Sequence, residues 1–404
     1  MTTPASSLRQ CPQCRLVTAA KLCPNDGLAT IVRTVLDGIR DPHLRVGDVV
    51  GGRYRITGSL GRGGFGVVCT AVHTGTGQPV ALKYLTVDPE GTEEDVIRRF
   101  FQEARITAGL RHPNTVRLFD FGQAENGALY MVMELLHGPT LEQLLAGLAA
   151  RDEVLSEAAT LDIAIPVLKA LGEAHDADLV HRDLKPANII LALVPGDEPM
   201  PKVLDFGIAR VKNSSLTGSN RALGTPAYMS PEQCRGQDID GRSDLYALGV
   251  ILYRCVTGAV PYDHTNRMKV MWMHNVAPLP DLREKARTPL SQLFIGAVQQ
   301  ALAKEPADRF ADARAMRQAL EFVRATLLRS ALLRQPGPQS DPQSELGAVV
   351  ARFAAQTPDG PPKPESAPTD LDLDKTRRIN VLRDGPQAPT AVPAPKPHKR
   401  SDPK

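Results

Sequence analysis

From position 54 to about 135, apolar and β-branched residues come in short runs: YRITGSL, GVVCTAVH, PVALKYL, VRLFDFGQ and ALYMVMEL. Each run is bounded by Gly or polar turn residues, a pattern that predicts the strands of an antiparallel sheet. Between the third and fourth, EEDVIRRFFQEARITAGL carries apolar positions at helical spacing behind an acidic start, which predicts one helix. After Gly138 the period lengthens. TLEQLLAGL, EAATLDIAIPVLKALGEAHDA, SDLYALGVILYRCVTG, LSQLFIGAVQQALAK and ADARAMRQALEFVRATLL predict helices. The fold class is therefore α+β: a small sheet-rich lobe, a larger helical lobe and a cleft between them. The most apolar stretch, LYALGVILYRCVTGAV, is interrupted by Arg254 and predicts a buried helix, not a membrane span.

The flanks differ from this core. Residues 1–45 hold little apolar material and read as a separate small module. Residues 335–404 are rich in Pro and polar residues, with PGPQSDPQS and TPDGPPKPESAPTD. Such composition cannot bury enough apolar surface to offset chain entropy, so the tail is expected to be disordered. One island in it, LGAVVARFAAQ, predicts a short helix that folds on a partner. Thr369, Thr376 and Thr390 are candidate phosphoacceptors or docking points. No internal repeat is present.

Composition narrows the function little. Of 404 residues 42% are hydrophobic and 23% charged, as in an ordinary globular protein, and the net charge of +3 gives no reason to expect nucleic acid or an anionic membrane as partner. The start, MTTPASSLRQ, lacks the apolar core of a signal peptide, so a cytoplasmic location is expected. Six cysteines, three crowded near the start, do not form a disulfide framework. Cys11 and Cys14 have the C-x-x-C spacing of a zinc knuckle; Cys23 opens a second, whose fourth position is Asp26. A three-Cys, one-Asp zinc site competes here with free thiols. Cys69, Cys234 and Cys255 lie in or near predicted core elements and read as small buried residues.

Three stretches carry candidate chemistry. LGRGGFGVV places Gly61, Gly63 and Gly66 in G-x-G-x-x-G, ahead of Val68. Glycines let a turn lie close over phosphates and offer unobstructed N–H groups. The same string can open a helix in a dinucleotide fold, but its place between two strand-like runs favours a hairpin. Lys83, in VALK, sits on a predicted buried strand and needs a partner. Glu103 on the following helix is the natural one, with a surface salt bridge as the bland alternative. In HRDLKPANII, Asp183 can orient a hydroxyl and take its proton, Lys185 can neutralise a phosphoryl group in flight, and Asn188 suits Mg²⁺. Asp205 in VLDFGIAR would be the second Mg²⁺ ligand.

GRGGFGVV, VALK, HRDLKPAN, DFG and GTPAYMSPE occur in order, and together they resemble the eukaryotic-type (Hanks-type) protein kinases, most closely the bacterial serine/threonine kinases. The resemblance covers residues 54–327 and implies the bilobal kinase fold and transfer of the ATP γ-phosphate to Ser or Thr of proteins. It implies ATP and Mg²⁺ as cofactors, with Mn²⁺ as a substitute. Lys83 and Glu103 would form the active-state ion pair, Asp183 would be the base with Lys185 beside it, and Asn188 and Asp205 would hold Mg²⁺. Leu60, Gly61, Gly63, Gly66, Val68, Ala81, Lys83, Met133, Glu134, Leu136 and Leu191 would enclose ATP. Thr225 would brace Asp183 and Lys185, Glu232 would pair with Arg309, and Asp244 would hold the catalytic-loop backbone. None of these positions is substituted, which favours an enzyme over a nucleotide-binding scaffold.

Arg182, expected to be buried or half-buried beside the base, is placed to receive a phosphate on the following loop. Ser214, Ser215, Thr217 and Ser219 are the candidate acceptors there, modified by autophosphorylation between self-associating copies. The N-terminal CPQC…CPNDG segment resembles zinc-ribbon modules that precede some bacterial kinases, with a role in docking or dimerisation. Many members of the family continue into a membrane span; this sequence shows none, which implies an intracellular input.

Overall fold

The computed structural model describes residues 44–63, 66–85, 100, 103–124, 128–206, 226–334 and 344–356, together with short pieces of the first 32 residues. Those pieces are strands β1 (Arg9–Gln10), β2 (Val17–Thr18) and β3 (Ile31–Val32), an antiparallel sheet of order β2-β1-β3. The segments that carry Cys11, Cys14, Cys23 and Asp26 run between these strands and lie outside the described residues.

The sheet-rich lobe is a single six-stranded antiparallel sheet. It comprises β4 (Val49–Val50), β5 (Tyr54–Gly63), β6 (Gly66–His73), β7 (Pro79–Leu85), β8 (Leu118–Gln123) and β9 (Leu129–Glu134), in the order β4-β5-β6-β7-β9-β8. All five long strands fall where the sequence runs predict them. The alternation is legible in β6, where Val67, Cys69 and Ala71 face inward against Ile56 and Leu82. The helix expected between β7 and β8 is α1, helical over residues 103–109. It buries Ala104 beside Phe100, Met131 and Met133 on the opposite face of the sheet.

The helical lobe follows. Its elements are α2 (Leu141–Ala149), α3 (Glu157–Asp176), a hairpin of β10 (Ile189–Ala192) and β11 (Met200–Val203), α4 (Pro231–Arg235), α5 (Gly241–Thr257), α6 (Arg267–Val276), α7 (Leu282–Lys285), α8 (Gln292–Ala301), α9 (Ala313–Arg334) and α10 (Glu345–Gln356). Polar caps set the starts. Thr140 and Gln143 form a capping box on α2, Ser230 and Gln233 another on α4, and Asp240 caps α5. Helix α5, the predicted apolar stretch, is buried through Leu245, Leu248, Ile251 and Val256 and packs on α3 and α8. Among the described residues no helix is long and apolar enough to cross a membrane.

Two expectations need correction. LGAVVARFAAQ does form a helix, but α10 lies on the chain's own α2 and α3, with Leu346 and Val350 fully buried in the large core. The sequence predicted the helix but not that the chain itself covers it. Residues 335–343 and 357–404, including Thr369, Thr376 and Thr390, lie outside the described residues. Cys69 and Cys255 are buried as expected, whereas Cys234 is only half-buried, because α4 turns Pro231, Glu232 and Gln233 inward and leaves Cys234 toward its outer side.

Candidate active site

The glycine string closes the β5–β6 hairpin, with Gly61 opposite Val68 and Gly63 opposite Gly66. This is the hairpin reading, not a strand-to-helix turn. Gly66 has φ +139°, a conformation that disfavours a side chain. On the next strand Lys83 lies opposite Val68 and Met131, and Ala81 lies opposite Met133. Val68, Ala81 and Met133 thus line one patch of sheet beside the hairpin. Leu60 is exposed at its edge.

The connection from β9 to α2 crosses to the helical lobe. Glu134 accepts a 2.6 Å ion pair from Lys202 and a 2.8 Å hydrogen bond from the Arg117 backbone N–H. Leu136 is half-buried among the lobe's inner residues. Gly138, φ +139°, passes so close to the backbone carbonyl of Leu191 that any Cβ would collide with it. The Leu191 N–H in turn bonds the Pro139 carbonyl at 2.9 Å. Leu191 is fully buried in the core of the helical lobe.

The loop 181–188 is held by its backbone. Asp244, buried at the start of α5, accepts from the His181 N–H at 2.8 Å and the Arg182 N–H at 2.9 Å, and its Oδ2 lies 2.8 Å from His175 Nε2. Burial would raise this carboxyl, but the neighbouring His175 and the hydrogen bonds outweigh it and hold it below its ordinary value. Arg182 has φ +64°, an uncommon conformation for a residue with a side chain. The Gln233 amide bonds the Arg182 carbonyl at 2.8 Å and helps to hold it there. The Arg182 side chain is exposed, contrary to expectation, because its backbone and not its guanidinium is what the lobe grips.

This bracing aims the loop's side chains. Lys185 Nζ lies 2.7 Å from Asp183 Oδ2, and the Asn188 amide nitrogen donates to the Asp183 carbonyl at 2.8 Å. The Leu204 N–H bonds the Asn188 carbonyl at 2.9 Å, and the Leu204 carbonyl lies 2.8 Å from His181 Nε2, which ties this loop to the DFG strand end. There Asp205 takes φ +55°, and Phe206 is fully buried with its ring 5.0 Å from that of His181. The backbone turn at Asp205 sends its carboxylate toward the other lobe, where Oδ1 meets Lys83 Nζ at 2.7 Å. Burial acts to raise the Asp205 carboxyl, but Lys83 more than offsets it, so the group stays ionised below its ordinary value. Glu103 is half-buried on α1.

Glu232 and Arg309 form the expected structural bridge, a bidentate pair with both contacts at 2.8 Å and both side chains almost inaccessible. Thr225, Ser214, Ser215, Thr217 and Ser219 lie outside the described residues. Sequence reasoning missed His175, His181, Gln233 and Lys202. HRD and SPEQ do contain two of these, but nothing in a string tells that the His181 ring faces the Leu204 carbonyl or that the His175 ring faces the buried Asp244 carboxylate.

Among the described residues no cluster of three or more His, Cys, Asp or Glu is placed to hold a metal ion. Mg²⁺ bound together with a nucleotide needs only one or two protein oxygens beside the phosphates, and ionised Asp205 with the Asn188 amide oxygen fits that donor chemistry.

This geometry brings the strand lysine Lys83 of the sheet-rich lobe against the Asp205 carboxylate beside the loop 181–188 of the helical lobe. Residues 54–321 match the family described as the protein kinase domain, and the chain belongs to that family. It is 39% identical over 284 residues to the serine/threonine-protein kinase pkn3 of Myxococcus xanthus, a match that spans 69% of this chain and 51% of that protein. It is 36% identical over 278 residues to a probable serine/threonine-protein kinase, PknB, of Corynebacterium glutamicum, spanning 66% and 42%. The chain thus covers about half, or less, of the length of these curated relatives. Among solved structures, the PknI kinase domain of M. tuberculosis superposes with a TM-score of 0.55 at 29% identity, covering 70% of this chain and 99% of that one.

Proposed function

We propose that the chain is a serine/threonine protein kinase that moves the γ-phosphoryl group of ATP to Ser and Thr hydroxyls of proteins, in intracellular signalling. The observation that carries this reading is the convergence of Asp183, Lys185 and Asn188 on one loop with the Lys83–Asp205 pair at 2.7 Å. Asp183 orients the acceptor hydroxyl and takes its proton as the new O–P bond forms. The bond from the γ-phosphorus to the bridging oxygen breaks, and ADP leaves. Lys185 offsets charge on the group in transit. Mg²⁺, held by Asn188 and Asp205, would neutralise phosphate charge. Lys83 would face the phosphates and pair with Glu103 when the nucleotide is bound. Val68, Ala81, Leu191, Leu60 and Met133 would enclose the adenine, with backbone groups of Glu134 to Leu136 reading its edge.

The finer assignments rest on the sequence. Residues 54–327 would be the catalytic domain, with a zinc-ribbon-like module at 1–45 and the tail from 335. Autophosphorylation at Ser214, Ser215, Thr217 or Ser219, in trans between associated copies, would bring phosphate to the exposed Arg182. Loop-phosphate mass spectrometry tests that step. Zinc at Cys11, Cys14, Cys23 and Asp26 is tested by metal content after purification without chelator, and a substoichiometric value removes it. The cytoplasm, where ATP and protein substrates coexist, is the proposed location.

The central test is label transfer from ATP with Mg²⁺, comparing wild type with Asp183→Asn. Label on the wild type alone supports the reading. Label on neither, with ATP still bound, replaces it with a nucleotide-binding scaffold. Equal label on both removes Asp183 from its role.

A further inference from the structure

Helix α10 lies beyond the residues that match the kinase domain, and the chemistry described so far gives it no part. Burial of Leu346 and Val350 explains why it stays on α2 and α3. It does not explain the polar contact at the start of the helix. There the Ser344 N–H and hydroxyl both donate to the Glu198 carboxylate, at 3.1 and 2.6 Å. The same hydroxyl oxygen accepts from the Gly347 N–H at 3.0 Å and so caps the helix. A Cβ at Gly347 would collide with Glu198 Oε2, so the carboxylate lies directly against the first turn. An anion in that place also suits the positive end of the helix.

Glu198 belongs to neither α2 nor α3. It sits in the turn of the β10–β11 hairpin, whose residues 193–198 are exposed. The hairpin's pairs run from Ala192–Met200 beside the turn to Ile189–Val203 at the base, roughly 10 Å away at about 3.3 Å per residue. Asn188 directly precedes the base pair and Leu204 directly follows it, with the Leu204 N–H on the Asn188 carbonyl at 2.9 Å; Asp205 is next. Both residues assigned to Mg²⁺ therefore stand at one end of a short ribbon, and α10 grips the other end. Bonds on both edges stiffen the ribbon between. The Leu191 and Leu193 N–H groups bond the Pro139 and His137 carbonyls at 2.9 and 2.7 Å, and the Val203 N–H bonds the Asn114 carbonyl at 2.8 Å. A stiff ribbon passes a displacement of its turn on to its base, while its side bonds keep that displacement small.

We infer that docked α10 is a clamp on the Mg²⁺ ligands: through Glu198 it holds the turn of the hairpin and so fixes Asn188 and Asp205 at the base. Glu198 is then a positioning residue that touches no reacting atom, and undocking of α10 weakens the metal site from outside the cleft. The inference rests on the kinase reading of Asn188 and Asp205.

The test uses the full chain in four forms: wild type, Glu198→Ala, Val350→Asp, which puts a carboxylate into the apolar seat and undocks α10, and the double variant. Two readouts need no phosphate transfer. One is hydrogen exchange of residues 186–206 without nucleotide; the other is binding of a non-hydrolysable ATP analogue, titrated with Mg²⁺. Each single variant should exchange faster over 186–206 and need about fivefold more Mg²⁺ for half-maximal binding, the size of an exposed, charge-assisted contact. Binding of the analogue without metal should stay at the wild-type level, which general unfolding would not allow. In the transfer assay kcat should fall by about the same factor at subsaturating Mg²⁺, with the peptide KM kept. Glu198→Ala should add nothing to Val350→Asp, because the grip is already gone. Fast exchange at 345–356 beside wild-type exchange at 186–206 and wild-type Mg²⁺ dependence overturns the inference, and so do losses that multiply in the double variant. Glu198 is exposed and outside the core, so Glu198→Ala decides alone if Val350→Asp folds poorly: an unchanged Mg²⁺ dependence in it removes the clamp. A wild type that binds the analogue with Mg²⁺ but transfers no phosphate from ATP overturns the kinase reading, while the exchange and Mg²⁺ titrations still decide the clamp.

Discussion

Lys83 Nζ and Asp205 Oδ1 meet at 2.7 Å across the two lobes, one from the middle of a buried strand and the other from a residue at φ +55°. Lys83 outweighs the burial that would raise the Asp205 carboxyl and holds it below its ordinary value. Lys83→Met removes the cation that holds the Asp205 carboxyl down, so that carboxyl rises and its fitness as a metal ligand falls. Phosphate transfer should drop by about two to three orders of magnitude, the scale for loss of one preorganised electrostatic group. Single-turnover transfer with saturating ATP measures the chemical step. Retention of more than a tenth of wild-type turnover would show that the pair is not part of it.

Asp244 makes a different kind of contribution. It touches no reacting atom but holds the N–H groups of His181 and Arg182 at 2.8 and 2.9 Å, and so keeps Arg182 at φ +64°. Asp244→Asn presents one acceptor oxygen where two are used, and its amide nitrogen faces an N–H. Turnover should fall by about a hundredfold, as for a displaced catalytic group, with ATP affinity changed far less. Nucleotide titration beside kcat distinguishes this positioning role from general unfolding, which would lower both.

Glu232 and Arg309 give the lobe an acid-sensitive lock. Burial works to raise the Glu232 carboxyl, but hydrogen bonds from Arg309 and Ser243 prevail and bring it down from 4.5 to about 2. A carboxyl depressed in the fold contributes its full stabilisation above its unfolded value. That contribution, about 3 kcal/mol from the size of the shift, is lost as pH falls from about 4.5 toward about 2. Glu232→Gln should be less stable than wild type at neutral pH by about 3 kcal/mol or more, because it leaves Arg309 buried without a counter-charge. The difference should shrink in that acid window. Denaturant midpoints of the two proteins at pH 7 and pH 3 check both statements, and a gap independent of pH would contradict the assignment.

The lobes were legible in the sequence because strand and helix periods differ and because the motif residues punctuate them. Asp183, Lys185, Asn188 and Asp205 could be named from the chemistry of their motifs, whereas Glu232, Arg309 and Asp244 could be named only through the resemblance to protein kinases. What stayed illegible depends on who meets whom in space. The alternation that marks β7 says that Lys83 is buried, not that Asp205 is the group bonded to it. Gln233 reads as a polar residue on a short helix until its amide is seen on the Arg182 carbonyl. The β10–β11 hairpin was missed because its strands are four residues each and one contains Pro201, too little pattern for a period of two to register.

Helix α10 is the sharpest instance, and it carries the last prediction. That it is a helix is what the sequence showed; its apolar face, Leu346, Val350 and Phe353, and its seat on α2 and α3 are what the fold adds. A Cβ at Gly147 of α2 would collide with the Phe353 ring, so the glycine makes room for the helix. Polar contacts fix its ends: Ser344 gives its N–H and hydroxyl to Glu198 at 3.1 and 2.6 Å, Ser156 bonds Glu345, and Arg352 pairs with Glu153 at 2.7 Å. A helix of 12 residues is marginal alone in water, so nearly all of its order comes from this seat. Val350→Asp, which buries an unpaired carboxylate, should release α10 at a cost of about 3 kcal/mol or more to the docked state. Val350→Ala should cost about 1–2 kcal/mol and leave it docked, by the usual scale for deleted buried methyl groups. Hydrogen exchange of residues 345–356 in the full chain reads the difference: protection lost in the first variant and kept in the second. Equal protection in wild type and Val350→Asp would mean that the helix draws its stability from somewhere other than this face.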